Sequence, residues 1–406
     1  MRICLVSTNI QQVPVDAWGG IECQVDGHAR GLAELGHEVH VMTVGDTDSA
    51  GTCDVDGIRY HRLGKASARI ASVTGKAASL AGFALRTHGL VSRLVPDVVH
   101  IHSRYPAYLI LRFPSRRRDR WLTVYHAHNW KRAEDMSYPT LSLRRTAAAL
   151  GARIDRTIAR KVDHIIAISR FMKERIVATA GVDPEKVSVL TNMVDIEMFR
   201  PGGNSAEGKE LLFVGRIAAE KGVHTLIEAM SRVVCAVPDA MLRIVGPAKG
   251  GSELGGYSRE CRELVDRLGL RSRVRFEGEV PNHRLPDILS RARILVVPSL
   301  WGEPCGLVAI EALACGVPVI CNRTGGLPEL IDEGETGILT DPGDPDSLAR
   351  AIVRGLTDDS LSRNASLFGP ERVAARHARG RIRDELDRIY SKALTLRLQG
   401  NPSRTG

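Results

Sequence analysis

Short apolar runs alternate along the chain with longer stretches in which apolar residues recur at helical spacing. Such alternation predicts repeated strand–helix units and hence parallel sheets. In the first half, the predicted strands cover residues 2–7, 38–43, 98–102, 121–126, 164–168 and 187–190. A helix is predicted at residues 20–35, because Gly36 ends the periodic pattern. The pattern therefore predicts an α/β protein.

A polar, glycine-rich segment at residues 201–208 interrupts the pattern and predicts a linker. After it, strands are predicted at residues 211–215, 241–246, 274–277, 294–297 and 318–321. We therefore predict two doubly wound domains, at residues 1–200 and 205–379. A last helical stretch at residues 374–398 can pack on either domain, and the domain prediction allows its part at 380–398 to pack back on the first.

Composition excludes several classes of protein. The 406 residues are 43% hydrophobic and 25% charged, which is typical of a globular chain of two or three domains and not of a disordered chain or a fibre. The longest apolar stretch, at residues 304–322, contains Glu311 and is interpreted as a helix and a strand rather than a membrane span. The apolar start is too short for a signal peptide. Eight cysteines without a C-x-x-C pair indicate reduced thiols, and we expect a cytoplasmic protein.

Positive charge is concentrated in the first half. Residues 1–200 hold 28 Lys and Arg against 20 Asp and Glu, whereas the remainder holds 28 against 27. The basic stretch lies at residues 112–161. Aromatic residues make up only 4% of the chain, so stacking platforms are few and no nucleic acid partner is expected. An anionic acceptor, an anionic membrane surface and a solvated helix face remain as three interpretations.

The segments that follow predicted strands carry the candidate chemistry, because ligands bind at the carboxyl ends of parallel strands. In the segment at residues 302–318, Glu303 and Glu311 lie eight residues apart. If both lie on one helix, the rise between them is ~12 Å, comparable to the hexose-to-ribose distance in a nucleotide sugar. Backbone N–H groups near Cys305, Gly306 and Leu307 can then meet a diphosphate or a sugar. A capped helix with two incidental glutamates is the alternative.

Three further segments follow strands. Arg216 and Lys221 flank a strand–helix turn, where both can bind phosphate oxygens, although a surface arginine and a Glu–Lys helix start fit equally. Gly325 and Gly326 suit a close backbone approach to phosphate, or an ordinary tight turn. Gly20 lies in the segment at residues 18–22, between the first strand and its helix.

Together these four segments resemble the family 4 glycosyltransferases, which are retaining nucleotide-sugar enzymes. The resemblance extends to residues 163–169, 192–201 and 337–345. It implies the GT-B fold, in which two Rossmann-like domains face each other across a cleft. Two departures stand out: Cys305 replaces a bulky aromatic residue, and Met193 replaces glycine.

The resemblance also implies roles for site residues. Glu303 would hold the hydroxyls of the donor sugar, and Glu311 would hold the ribose. Arg216 and Lys221 would neutralise the diphosphate, with Cys305, Gly306, Leu307, Gly325 and Gly326 around the donor and Gly20 lining the pocket. In the family a histidine after a strand of the first domain contacts the sugar. We prefer His128 for this role, and His126 is the alternative.

The sequence is thus expected to encode a retaining transferase that moves a hexosyl or N-acetylhexosaminyl group from a UDP- or GDP-sugar to an acceptor hydroxyl. A nucleotide-sugar epimerase or hydrolase of the same architecture is one alternative. A non-catalytic module that binds glycan or an anionic surface is the other. An anionic or membrane-surface acceptor would place the enzyme at the inner face of the membrane.

No cofactor and no metal are expected. Three D-x-D pairs, Asp46/Asp48, Asp54/Asp56 and Asp344/Asp346, lie among turn-forming residues and are interpreted as turn formers and caps. Two cationic side chains and a helix N-terminus sum to roughly +2.5 charges, which matches a nucleoside diphosphate without an ion.

Overall fold

The computed structural model describes residues 1–14, 20–45, 51–67, 70, 72–113, 121–130, 142–202, 208–248 and 256–399, with the side chains of 142–148 excepted. The chain divides into two compact units. Unit 1 comprises Met1–Met193 and Arg379–Gly406, and unit 2 comprises Val194–Ala378. The division falls before the predicted boundary at residue 200. One reason is that the backbone N–H of Val194 donates to the carbonyl oxygen of His377 at 2.9 Å, which ties this segment to unit 2.

Unit 1 is built on one sheet. Its described strands run in the order β3-β4-β2-β1-β5-β6-β7-β8, and all neighbours are parallel except β3 and β4. The strands are β1 (Arg2–Val6), β2 (Glu38–Gly45), β3 (Gly51–Val55), β4 (Ile58–Lys65), β5 (Val98–Ile101), β6 (Leu122–Ala127), β7 (His164–Ala167) and β8 (Val187–Val189). The helices of this unit are α1 (Gly20–Glu34), α2 (Val73–Leu94), α3 (Arg104–Ile110), α4 (Ser142–Lys161), α5 (Arg170–Ala180) and α12 (Arg379–Gln399).

Unit 2 is built on a second, fully parallel sheet in the order β11-β10-β9-β12-β13-β14. Its described strands are β9 (Glu210–Val214), β10 (Met241–Val245), β11 (Val274–Gly278), β12 (Ile294–Val297), β13 (Val319–Asn322) and β14 (Gly337–Thr340). Its helices are α6 (Val223–Ala236), α7 (Gly256–Arg267), α8 (Leu285–Leu289), α9 (Leu307–Ala314), α10 (Pro345–Thr357) and α11 (Asp359–His377). The predicted class, α/β with two doubly wound parallel sheets, is confirmed.

The predicted C-terminal helix is two helices that belong to different units. α11 ends at His377 in unit 2, Ala378 adopts an extended conformation, and α12 then packs in unit 1. One face of α12 enters the core of unit 1 through Ile382, Leu386, Ile389, Tyr390 and Ala393. The Tyr390 hydroxyl lies 2.6 Å from Nδ1 of His100, so α12 also makes a buried polar contact with the sheet.

Two smaller expectations concern membranes and cysteines. Across the described residues, no helix combines the length and apolar character needed to cross a bilayer.

Cys4, Cys261, Cys315 and Cys321 are buried thiols. Burial raises the pKa of Cys261 to about 11 and those of Cys315 and Cys321 to about 12, so these thiols are protonated at neutral pH.

Candidate functional site

The topology of unit 2 selects one edge of its sheet. β9 is followed by β10 on one side, while β12 and β13 lie on the other, so the strand order reverses between β9 and β12. In such sheets the ligand-binding crevice lies at this reversal, beyond the carboxyl ends of the strands. The segments that begin at Gly215, Pro298 and Arg323 leave the carboxyl ends of β9, β12 and β13 at this edge.

The carboxylate of Glu303 is the centre of a polar network at this edge. Its Oε2 atom accepts hydrogen bonds from Lys221 Nζ at 2.7 Å, Trp301 Nε1 at 3.0 Å and Ser299 Oγ at 3.1 Å. The side chains of Lys221 and Glu303 are only 19% and 12% exposed, so water screens their ion pair weakly. Oε1 has no hydrogen bond to any described residue, which leaves one carboxylate oxygen for a ligand.

Hydrogen bonds between loops hold this network in place. Asn322 Nδ2 and Thr324 Oγ1 donate to the carbonyl oxygen of Ser299 at 3.1 and 3.3 Å. Thr340 Oγ1 donates to Asn322 Oδ1 at 2.8 Å, which connects the end of β14 to the end of β13. Leu300 N donates to the carbonyl oxygen of Glu220 at 3.0 Å, so the loop after β12 is also tied to the loop after β9.

Gly222 allows the β9 and β12 loops to approach each other. It has φ +68°, and a Cβ at this position would overlap the carbonyl oxygen of Pro298. Gly222→Ala is therefore expected to lower the free energy of unfolding by the ~1–2 kcal/mol of a left-handed non-glycine residue, plus about 1–3 kcal/mol for the overlap. Denaturant titration measures this loss.

Gly269 offers a matched control, because its φ is +69° and a Cβ there would meet no atom within 4 Å. Gly269→Ala carries the conformational cost without the overlap. If the two variants lost equal stability, the close approach of the two loops would contribute nothing.

Arg216 is the first side chain after β9 and Gly215, and it is exposed. The two glycines predicted to bind phosphate lie against the backbone of Glu303. A Cβ at Gly325 would overlap the backbone of Glu303, and Gly326 N donates to the carbonyl oxygen of Glu303 at 2.7 Å. This turn therefore positions Glu303.

The expectation that Glu303 and Glu311 lie on one helix is wrong. α9 begins at Leu307 with Gly306 as its N-cap, so Glu303 precedes the helix and the ~12 Å helical rise does not apply. Cys305 and Gly306 are buried, and a side chain at Gly306 would clash with Leu327.

Glu311 lies in the second turn of α9 and is 8% exposed. Burial raises its pKa to about 7, and among the described residues no hydrogen-bond donor to its carboxylate is seen. An anionic Glu311 therefore gains stabilisation from any ligand that supplies hydroxyl donors.

Unit 1 holds the remaining predicted site residues. Gly20 is the exposed first residue of α1, whereas residues 18 and 19 of the same segment lie outside the described residues. His126 is a buried residue of β6, and His128 follows the strand end and is half-buried, with Nε2 3.0 Å from Nδ1 of His102. Glu22 of α1 accepts a hydrogen bond from Thr8, and burial raises its pKa.

Two D-x-D pairs have local roles. Asp54 accepts a hydrogen bond from Gly57 N at 3.2 Å in the β3–β4 turn, and Asp56 pairs with Arg30 at 2.8 Å. Asp344 caps α10 by accepting from the N–H groups of the second and third residues after it, at 2.8 and 3.0 Å. The pair Asp46/Asp48 lies outside the described residues.

The sequence did not single out the residues that hold Glu303. Ser299 and Trp301 bond its carboxylate, and Asn322 and Thr324 hold Ser299. Ser299 and Trp301 follow β12, Asn322 is the last residue of β13, and Thr324 follows β13. Their position at or after strand ends was the signal that the sequence offered. Their partners, however, depend on how the two loops fold against each other.

Comparison with known proteins gives the family of the chain. A family model described as Glycosyl transferases group 1 matches residues 195–372, and one described as Glycosyltransferase Family 4 matches residues 18–198. The chain belongs to the family 4 glycosyltransferases. A D-inositol 3-phosphate glycosyltransferase from Corynebacterium glutamicum is 28% identical over 389 residues, which cover 88% of this chain and 89% of the relative.

Solved structures show the same fold. Sucrose-phosphate synthase from Thermosynechococcus elongatus superposes with a TM-score of 0.82 at 24% identity, covering 97% of this chain and 99% of that one. HepE from Anabaena, solved with UDP-glucose, gives a TM-score of 0.74 at 20% identity, covering 97% and 100%. The chain therefore has the GT-B fold, and the family models and curated relatives make it a glycosyltransferase.

Proposed function

We propose that this glycosyltransferase is a retaining enzyme that transfers a hexosyl or N-acetylhexosaminyl group from a UDP-sugar to an acceptor hydroxyl. The arrangement of Arg216, Lys221 and Glu303 after two adjacent parallel strands carries the proposal. It places two cations and a carboxylate at the edge where α/β sheets bind nucleotides. UDP is preferred over GDP as the nucleotide because the structurally similar HepE was solved with UDP-glucose.

The Lys221–Glu303 ion pair changes the expected charge balance. The sum of roughly +2.5 for Arg216, Lys221 and a helix N-terminus left out the carboxylate that lies 2.7 Å from Lys221. We propose that donor binding exchanges partners: Lys221 turns to the diphosphate, and Glu303 takes hydrogen bonds from sugar hydroxyls. Ser299 and Trp301 would keep Glu303 in place during the exchange, since they bond the same carboxylate oxygen.

The exchange supports catalysis through the leaving group. As the glycosidic bond breaks, negative charge grows on the departing diphosphate, and fixed cations stabilise that charge most in the transition state. The diphosphate oxygen would then accept the acceptor proton on the same face of the sugar. This route retains the anomeric configuration and needs no metal ion or cofactor at the diphosphate.

An anionic small molecule is the first acceptor to test. The relative from Corynebacterium glutamicum is a D-inositol 3-phosphate glycosyltransferase. In this chain Arg153, Arg156 and Arg160 are exposed on one face of α4, where they can attract a phosphorylated acceptor.

The deciding experiment combines donors with and without acceptor. UDP-glucose, UDP-N-acetylglucosamine and their GDP counterparts are each incubated with the enzyme, with and without D-inositol 3-phosphate. Glycoside formation with an unchanged anomeric configuration supports the proposal. Epimerised free sugar without acceptor would indicate an epimerase, and the absence of any turnover would indicate a binding module.

The buried Glu311 predicts a pH dependence of donor binding. Ribose hydroxyls bind best to the carboxylate anion, whereas the free group with a pKa of about 7 is largely protonated at lower pH. Affinity for UDP-glucose should therefore be constant above the pKa and weaken by about tenfold on going from one unit above it to one unit below it. Isothermal titration calorimetry measures this profile, because the diphosphate diester of this ligand does not titrate in the range.

Glu311→Gln should bind more weakly and show no such profile, while Glu210→Gln at the opposite edge of the sheet should retain the wild-type profile. A wild-type profile in Glu311→Gln would remove Glu311 from the ribose site.

The exposed arginines of α4 predict a salt dependence of transfer. Because the Debye length shortens to ~10 Å at 0.1 M salt, transfer to an anionic acceptor should slow as salt rises. Hydrolysis of the donor without acceptor should change less.

A double variant, Arg153→Ser with Arg156→Ser, should flatten the salt dependence of transfer. A control with Arg267→Ser and Arg363→Ser, two exposed positions of unit 2, should not flatten it. If the wild-type enzyme and both double variants showed the same salt dependence, the α4 arginines would have no part in acceptor binding and would form an ordinary solvated helix face.

A further inference from the structure

Five histidines of unit 1 form one cluster. His28 comes from α1, His100 and His102 come from the end of β5, and His126 and His128 come from the end of β6. All but His128 are at most 2% exposed. Histidine is not among the residue types usually found fully buried, so four buried imidazoles in contact require a reason.

Most of the buried ring nitrogens in this cluster have no hydrogen-bond partner among the described residues. Both nitrogens of His28 and both nitrogens of His126 lack one, and so does Nε2 of His102. A buried polar atom without a partner is unfavourable, because it has lost its hydrogen bonds to water. Several such atoms in one place indicate that a ligand supplies the missing interactions.

The geometry fits a metal ion. The ring centroids of His28, His102 and His126 are 5.0, 5.4 and 5.5 Å apart, and one nitrogen from each lies within 4.8 Å of the others. Three imidazoles on a tetrahedral ion have nitrogens about 3.4 Å apart and ring centroids about 5.2 Å apart, from a metal–nitrogen distance of ~2.0–2.1 Å. The centroids already have this spacing, and ion binding would require the rings to rotate until one nitrogen of each faces the ion.

We propose that His28, His102 and His126 bind a transition-metal ion, with Zn²⁺ as the first candidate, and that this ion holds α1 to the ends of β5 and β6. Imidazole nitrogen suits Zn²⁺, Cu²⁺ and Ni²⁺ and excludes the hard cations Mg²⁺ and Ca²⁺. The sequence did not predict this site.

The protonation states agree with this role. Burial lowers the pKa of His28 to about 3 and lowers those of His102 and His126, so all three are neutral at physiological pH, as metal ligands must be. His102 Nδ1 lies 3.0 Å from His128 Nε2. When the N–H group at Nδ1 of His102 donates this hydrogen bond to Nε2 of His128, Nε2 of His102 keeps its lone pair for the ion, which is the usual arrangement around metal-bound histidine.

Metal analysis of the purified protein tests the proposal. The protein is produced without a histidine tag in zinc-supplemented medium, desalted, and measured by inductively coupled plasma mass spectrometry. We expect about one zinc ion per chain. Independently of any variant, the Co²⁺-loaded wild-type protein should show the visible d–d bands of tetrahedral nitrogen ligation. Less than a tenth of an equivalent, with no uptake when Zn²⁺ is added, would overturn the proposal.

His28→Leu gives the sharpest comparison. If the cluster holds an ion, this variant should contain at least tenfold less zinc per chain than wild type and have a lower Tm. If the cluster is empty, removing two partnerless nitrogens should leave Tm unchanged or raise it, and that result would contradict the site.

His61→Leu is the control, because the ring nitrogens of this buried histidine lie 2.9 and 3.0 Å from His40 and Thr52. It should keep its zinc.

Discussion

Arg216→Ala and Lys221→Ala are each expected to slow glycosyl transfer by about 100- to 1000-fold, since one fixed donor to a developing anion typically contributes ~3–4 kcal/mol. Both residues follow β9 at the edge where the strand order of unit 2 reverses. Their loss removes the charge that balances the departing diphosphate. Steady-state kinetics with UDP-glucose and an acceptor measures the effect, which should fall mainly on kcat/KM.

Lys209→Ala is the control for this prediction, because Lys209 precedes β9 at the opposite edge of the same sheet and is paired with Asp239 at 3.4 Å. It should keep wild-type kinetics. The proposal also expects that adding EDTA to the intact enzyme leaves transfer unchanged. If EDTA abolished glycosyl transfer, Mn²⁺ restored it and Arg216→Ala kept near-normal rates, a metal ion and not these two side chains would balance the charge of the departing diphosphate.

The sheets were predictable because their strands are buried apolar runs. All strands predicted in the two halves are present within one or two residues of the predicted bounds. β3, β4 and β14 were not predicted. β3 and β4 form an edge hairpin with alternating polar residues such as Asp54 and Arg59, and β14 is only four residues long. The one-residue break at Ala378 between α11 and α12 was also missed, because the helical pattern continues through Ala378.

The sequence could predict those residues of the candidate site that lie directly after a strand. The sequence identified Arg216, Lys221 and Glu303 because each follows a predicted strand. It could not predict that Lys221 and Glu303 pair, since that contact joins residues 82 positions apart. The histidine cluster was missed for the same reason, because its members come from three separate segments that only the folded sheet brings together.

Glu303→Gln is expected to lower kcat by about 10- to 150-fold, since hydrogen bonds to a charged group contribute ~1.5–3 kcal/mol each. The donor KM should change less. The amide cannot accept hydroxyl donors with the strength of the carboxylate, and it also releases Lys221 from a pair that lies at 2.7 Å. Released Lys221 can still bind the diphosphate in the ground state, so donor affinity is preserved while stabilisation of the sugar in the transition state is lost.

A second ion pair on the same sheet provides a control that distinguishes an effect of Glu303 on catalysis from an effect on the stability of the fold. Glu210 at the start of β9 pairs with Arg243 at 3.6 Å, at the opposite edge from Glu303. Glu210→Gln should therefore leave kcat unchanged, with a loss of unfolding free energy similar to that of Glu303→Gln. If Glu303→Gln raised the donor KM and left kcat at the wild-type value, Glu303 would act in ground-state binding alone, and the exchange of partners with Lys221 would be excluded.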